Sequence, residues 1–572
     1  MIERNTITAV LLMMTLFIGY QVYYDYRFAD YVAEQGEREE TRPATVADDD
    51  AQTAATPMTV ADDDAVATDE TPVAVALPTE AILTPLADTR EKLLTVDTGV
   101  AEIVLTNKGA APAHYRLKNY RDPEGGVVDL IFNYERFVTA RAEGGDDATF
   151  KKPVVFPTLG LTFPRPAFAE KVNNAFFTVA ETDGDLSLRE GPYTITYAFR
   201  DASGVEVRKS YTFTPGSYAF DFSLSVVSTP QWGAFDYGLI WYGLSDETVA
   251  MMGMSSYAGP IVMANRERAI EKPDDETTSM TYTGTVDWAA LVNRYYTAIT
   301  IPADGAGKTV VTRYLDPDNH ALEWKFKADV TPAPQNFSVF LGPKSHAILG
   351  DYPKGIPAVI DYGLLDIIAK PLYWMLAAFH GWTGNWGWSI ILLTMVVKIV
   401  FFPLSQKSFR SMKQMQKLAP QMKKIQDTFK DDKPKQQEAM MKLYQEHKVN
   451  PLGGCLPMFA QLPIFIALYN VLLESIELKG AGWILWIDDL AKADPYYVTP
   501  VLMGITMLIQ QMMAPKTGDP LQRKMMMGLP FVFTFMFLTF PSGLVVYWLV
   551  NNVLTIAQQW IIYREADEPK KA

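Results

Sequence analysis

The sequence predicts a polytopic α-helical membrane protein of six spans that carries a large antiparallel β-sandwich outside the bilayer, and three observations predict it. Apolar stretches that each approach ~20 residues, the length a span needs, crowd into the chain beyond residue 360. Between about residues 93 and 350 apolar and polar residues alternate with a period of two, the mark of half-buried strands. A lone cation, Lys398, stands inside the apolar run Trp388 to Pro403. An ammonium at that depth costs roughly 2.5–3.5 kcal/mol to insert, a cost usually offset by a wet cavity or a partner.

Residues 1–25 are expected to form a membrane anchor. The apolar run Ile7 to Tyr24 follows Arg4, and the bulky residues after it lack the small-x-small pattern of a peptidase site, so the anchor stays attached with its N-terminus inside. Residues 26–90 read as a disordered acidic tether. Sixteen Asp and Glu lie between Asp25 and Arg90 against four Arg, in a stretch too poor in apolar residues to offset its ordering entropy. Residues 91–355 read as the sandwich. Ile195, Tyr197 and Phe199 alternate with Thr196 and Ala198; Phe220, Phe222, Leu224 and Val226 alternate with Asp221, Ser223 and Ser225; Leu322, Trp324 and Phe326 alternate with Glu323 and Lys325, all between Gly, Pro and Asp turns.

Residues 361–382 carry an apolar surface interrupted by Lys370-Pro371, which suits a helix lying in the interface plane. Trp382, Trp386 and Trp388 then mark the outer boundary of the membrane. A core over 387–563 supplies spans at about 387–404, 452–473, 497–513, 525–540 and 544–563, the last two separated by the tight turn Pro541-Ser542-Gly543. Between the first and second of these, residues 405–448 hold eleven Lys and Arg against five Asp and Glu, out of a whole-chain net charge of −15. By the positive-inside rule that segment is cytoplasmic, and the tail at 564–572 with it. Met415, Leu418, Met422, Ile425 and Phe429 recur at steps of three and four, Asp432-Lys433-Pro434 supplies a turn, and Met440, Leu443 and Tyr444 return, which predicts a basic helical hairpin.

Catalytic chemistry is not legible. Gly307-Lys308-Thr309 ends like a phosphate-binding loop, but Pro302 stands where that pattern needs glycine. The five histidines are scattered without metal-ligand spacing, so neither a metal, a cofactor nor a nucleotide is expected. Cys455 reads as a small apolar core residue, and the 25 methionines mostly as packing, some of them as a pliable surface for varied apolar partners. Lys398 fits two placements. It lies six residues before Leu404, close enough to snorkel to the cytoplasmic end; alternatively it faces a hydrated groove, toward which Thr394, Gln461, Gln510 and other polar residues of the spans would turn.

Six motifs taken in order resemble the YidC/Oxa/Albino family of membrane protein insertases, in its Gram-negative form. They are Gly384-Asn-Trp-Gly-Trp-Ser389, Phe402-Pro403-Leu404, Asn450-Pro-Leu-Gly-Gly-Cys455, Gln461-Leu-Pro-Ile-Phe465, Asp494-Pro-Tyr-Tyr497 and Phe540-Pro-Ser-Gly543. The resemblance implies a non-enzymatic insertase and chaperone of the bacterial inner membrane, with both termini cytoplasmic, a periplasmic sandwich and a five-helix core around a groove open to cytoplasm and lipid. It implies nascent membrane proteins and lipids as partners, together with the Sec translocon and the ribosome. Lys398 matches the groove cation, commonly arginine, and keeps the charge without arginine's planar fork of donors. Thr394 and Trp548 match positions of nascent-chain contact; Gln461 and Gln510 join them on polarity and depth alone. Lys413, Lys417, Lys423 and Lys424 are the cations expected to recruit nascent chains or ribosomes. A small-solute transporter and an envelope assembly factor with a carbohydrate-binding sandwich are the rival readings.

Overall fold

A computed structural model describes residues 87–122, 125–131, 157–180, 184–230, 232–243, 257–270, 279–316, 319–330, 333–430, 432–447, 456–513 and 520–565. The expected anchor, nearly all of the tether, and Cys455 lie outside these residues. Two compact units divide the chain, the larger comprising 84–516 and 529–572; of the smaller, the described part is the helical stretch 520–528.

Among the described residues the β domain is built from three sheets. The largest has nine antiparallel strands, in the order Glu267–Ile270, Gly259–Ala264, Val286–Val292, Tyr296–Pro302, Gln335–Pro343, Ala219–Val227, Glu206–Phe213, Tyr193–Arg200 and Thr178–Val179. One five-stranded sheet runs Val127–Asp129, Ala111–Arg121, Ala101–Thr106, Leu93–Asp97, Gly184–Ser187, the last pair parallel. The other runs Ser279–Gly284, Lys308–Asp316, Asn319–Ala328, Phe235–Tyr242, Gly160–Thr162. Both small sheets cover the same face of the large one. Phe222 and Phe337 are cross-strand neighbours and so share a face. Phe222 packs on Tyr211, whose hydroxyl reaches the carbonyl of Ala110, in the turn that leads into the Ala111–Arg121 strand of the first small sheet; Phe337 packs on Trp324 of the second.

The period-two pattern explains most of this burial: Ile195, Tyr197, Phe199, Phe220, Phe222, Leu224 and Val226 all point inward. Glu323 departs from it. Expected to face water, its side chain is only 1% exposed, because Lys325 of its own strand, Arg313 of the neighbouring strand and Thr162 from the sheet's edge strand close over the carboxylate. Lys209 is a second buried charge, donating to the carbonyls of Leu159 at 2.7 Å and Gly109 at 2.8 Å. Burial pushes its ammonium down to about 7.

The opposite face of the large sheet is strapped by the segment leaving it. Trp288 Nε1 donates to the Lys354 carbonyl, Lys354 Nζ to Pro302, and Arg268 to Ala358. The strap delivers the chain, among the described residues, to seven helices, α1 (Asp366–Thr383), α2 (Trp386–Thr428), α3 (Lys433–Glu446), α4 (Leu456–Glu474), α5 (Val498–Met513), α6 (Pro520–Phe537) and α7 (Ser542–Glu565). The β domain meets them at the end of α4. Lys344 pairs with Glu474 at 3.3 Å with both side chains under 5% exposed, Arg294 Nε donates to the Leu473 carbonyl at 3.0 Å, and Lys479 donates to the Tyr296 hydroxyl at 3.1 Å. Nearby, Tyr373 of α1 donates to Glu477, and burial among these groups drives the His346 imidazole down to about 4.

Several motifs prove to be joints. Gly384 takes φ 64° to end α1, and the Asn385 side chain accepts from the Trp388 amide to start α2. A Cβ at Gly387 would fall 2.1 Å from the Trp483 ring, so glycine lets the loop carrying Trp483 lie on the helix. Asp494 accepts from the Thr499 amide at 2.7 Å, the Thr499 hydroxyl at 2.8 Å and Trp486 Nε1 at 3.0 Å, capping α5. Burial opposes its charge, and these donors outweigh burial to hold its carboxyl below the usual range. Ser542 at the start of α7 bonds to the carbonyls of Asp489 and Lys492 in the same loop.

The expected end of the first core span falls inside a continuous helix. The helix containing Lys398 does not break at Leu404: it runs 43 residues from Trp386 to Thr428, about 64 Å at 1.5 Å per residue. The composition changes from apolar to basic while the backbone runs on, because Lys, Gln and Met are all good helix formers. Its distal stripe of Met415, Leu418, Met422 and Ile425 packs on Met440, Leu443 and Tyr444 of α3, whose start is capped by Asp432. Among the described residues two helices, Trp386–Thr428 and Ser542–Arg564, are long and apolar enough to cross a membrane, and Gln461–Glu474, Val498–Met513 and Met526–Phe537 are shorter apolar stretches.

Candidate functional site

Lys398 reaches across from α2 to α7. Its ammonium donates to Thr555 Oγ1 at 2.6 Å, and the Thr555 hydroxyl in turn donates to the Asn551 carbonyl at 2.6 Å. One turn back, Asn551 Oδ1 accepts from Gln461 Nε2 of α4 at 2.6 Å, and the same nitrogen lies 3.5 Å from the Tyr547 hydroxyl. Tyr547, Asn551 and Thr555 recur every four residues and therefore line one face of α7. Gln558 continues the line by donating to the Phe402 carbonyl of α2 at 3.3 Å. On the adjoining face Asn552 donates to Thr506 of α5, and Gln559 to the Met513 carbonyl and the Tyr563 hydroxyl.

Thus α7 is a shared wall to which α2, α4 and α5 each bond through uncharged polar groups. Such groups hold helices together where water is scarce. What sets this cluster apart is the cation inside it. Among the described residues no carboxylate pairs with Lys398, and two of its three N–H donors have no protein acceptor.

The expected site residues distribute unevenly. Lys398 and Gln461 meet through Thr555 and Asn551. Thr394 is buried one turn before Lys398, but its hydroxyl turns back to donate to the Ile390 carbonyl at 2.7 Å. Trp548 is half-buried among aromatic rings, 4.6 Å from Phe465 and 5.1 Å from Phe537, one residue away from the polar line. Gln510 is half-buried on α5, and among the described residues its side chain makes no hydrogen bond to the polar chain. Thr555 was not singled out in the sequence. Its four-residue spacing from Asn551 on an apolar helix was the available signal.

The cations expected to recruit partners divide as well. Lys417, Lys423 and Lys424 are exposed, as a recruiting surface needs. Lys413 is 8% exposed, its ammonium donating to the Tyr563 carbonyl in the last turn of α7 and lying 5.5 Å over the Tyr563 ring. Expected at the recruiting surface, it is instead engaged within the protein, where it offsets the negative end of that helix.

Residues 378–570 match the family model described as 60Kd inner membrane protein, and residues 149–375 the one described as YidC periplasmic domain. The chain is 40% identical over 385 residues to "Membrane protein insertase YidC" of Dechloromonas aromatica (strain RCB), covering 65% of this chain and 70% of that protein. It is 36% identical over 492 residues to the protein of the same description from Syntrophus aciditrophicus (strain SB), covering 83% and 86% respectively. A solved structure, "Active YidC insertase crystal structure with the first transmembrane domain resolved", is 18% identical with a TM-score of 0.36, over 83% of this chain and 93% of that one; at that score it adds no weight.

Proposed function

The chain belongs to the YidC family of membrane protein insertases, and from that premise we propose that it inserts nascent inner-membrane proteins through a polar groove at Lys398, with six spans and both termini in the cytoplasm. It is an inner-membrane insertase with a periplasmic sandwich. The observation that carries the groove reading is the chain from Lys398 through Thr555 and Asn551 to Gln461, which joins the two helices of membrane length and a third. The hydrophobic segment of a client gains on the order of 0.3–0.6 kcal/mol per apolar residue on entering lipid, so insertion runs downhill. The barrier is the polar flank that must cross.

A cation held by neutral partners lowers that barrier for an acidic flank. Lys398 offers its free donors to the flank's carboxylates, while the membrane potential draws each negative charge outward by about 2.3 kcal/mol per 100 mV. No covalent step and no nucleotide is then required. The three shorter apolar helices support the same reading: α5, 16 residues long, reaches about 24 Å, less than the ~30 Å hydrocarbon layer, and mismatch of that kind thins the bilayer nearby. Ile367, Trp374 and Trp382, exposed on α1, suit a helix seated in the outer interface. Cooperation with the Sec translocon rests on family resemblance alone.

Reconstitution into liposomes without nucleotide tests the function. Client protein should become protease-protected while no small solute passes; solute flux without protected client would favour a transporter instead. Ribosome recruitment falls to Lys417, Lys423 and Lys424, whose exposed charge attracts an anionic surface. Reversing all three to glutamate is expected to abolish most salt-sensitive co-sedimentation with ribosomes, and unchanged co-sedimentation would remove them from that role.

A further inference from the structure

We propose that Thr555 is the positioning residue of the groove, holding the Lys398 ammonium inside the membrane, turned toward the client's acidic flank, instead of letting it extend to the cytoplasmic surface. The inference rests on the groove reading above and assigns a part of it to a residue outside the family motifs.

The geometry restricts what Thr555 can do. A hydroxyl has one proton to give, and here that proton goes to the Asn551 carbonyl at 2.6 Å. Its lone pairs are left to accept, and the ammonium at 2.6 Å takes one. Because threonine is branched at Cβ and tied back to its own helix, the acceptor has little freedom to swing. Asn551 is itself held by Gln461 of α4, so the anchor is braced from a third helix. One turn inward, Gln558 of α7 bonds to the Phe402 carbonyl of α2, four residues after Lys398, which keeps the two helices in register on the cytoplasmic side of the anchor.

Without this acceptor a lysine has another place to go. Lys398 lies six residues before Leu404, about 9 Å along the helix, and a flexible four-carbon stem covers much of that distance to reach water. The alternatives open in the sequence, a groove cation or a snorkelling one, thus become two states of one side chain, and Thr555 selects between them. Valine keeps the shape of threonine and deletes the acceptor. Serine keeps the acceptor.

The test uses the full chain in proteoliposomes with two single-span clients that differ only in the translocated flank, one carrying two aspartates and the other two asparagines. Thr555→Val should lower protected acidic-flank client by about tenfold, the scale of one hydrogen bond to a charged group, and leave the asparagine client within about twofold. Thr555→Ser should insert both like the parent, and Thr555→Val combined with Lys398→Ala should be no worse than Lys398→Ala alone. Parental activity of Thr555→Val on the acidic client, with Lys398→Ala impaired, would overturn the positioning role and leave the groove charge standing. Equal loss of both clients without rescue by serine would make Thr555 a packing residue. Parental activity of Lys398→Ala on the acidic client would overturn both.

Discussion

Lys398→Ala is expected to reduce insertion of clients with acidic translocated flanks by on the order of ten- to a hundredfold, while Lys398→Arg stays near the parent. The magnitude follows from the contact. A hydrogen bond to a charged group contributes about 1.5–3 kcal/mol, and each 1.4 kcal/mol is a decade in rate. Alanine removes the one cation in a chain of neutral groups and leaves the Thr555 acceptor to water. Arginine keeps the charge and adds a fork of donors, so it serves a carboxylate at least as well. Protease protection of matched clients reads the outcome directly. Equal insertion of every acidic-flank client by Lys398→Ala would take the charge out of the mechanism.

Glu474→Ala is expected to destabilise the seat of the periplasmic domain by about 3–5 kcal/mol, the usual consequence of stranding a buried charge. Lys344 would be the stranded group, since both side chains of the pair are under 5% exposed. Replacing the two together, Lys344→Met with Glu474→Leu, should recover most of that loss, because desolvating an ion pair costs nearly what its attraction returns. Thermal unfolding in detergent measures the difference, and proteolysis in the strap around residues 344–360 reports whether the joint has opened. A cost below about 1 kcal/mol for the single change is what an exposed pair would give, and would contradict the burial.

Much of the helical half was legible because its signals are local. An apolar run of given length, a three-and-four stripe from Met415 to Ile425, a proline after Asp432 and a cluster of lysines are all properties of neighbouring residues. The strands were legible for the same reason, through alternation, and failed at Glu323, where side chains from its own and a neighbouring strand covered a face the alternation assigned to water. What the sequence did not show is that the helix runs on past the expected span end at Leu404, since a change from apolar to basic residues marks a membrane boundary without breaking a helix.

The site was legible in part. A lysine in an apolar run announces itself, and so does a glutamine in the next helix. Their connection does not. Thr555 lies 157 residues from Lys398, and nothing local distinguishes its hydroxyl from that of Thr394, which the helix consumes in a bond to Ile390. Lys413 looked like its basic neighbours and is spent on Tyr563, 150 residues away.

By itself, then, the sequence determined which segments are apolar, which alternate, where positive charge gathers and that one cation stands within an apolar run, because hydrophobicity and periodicity act between near neighbours. Only the tertiary structure decided which partners the charges keep: Thr555 for Lys398, Glu474 for Lys344, Tyr563 for Lys413. A buried charge takes the acceptor that helix packing brings within about 3 Å, and no local pattern carries the information about which distant residue that is.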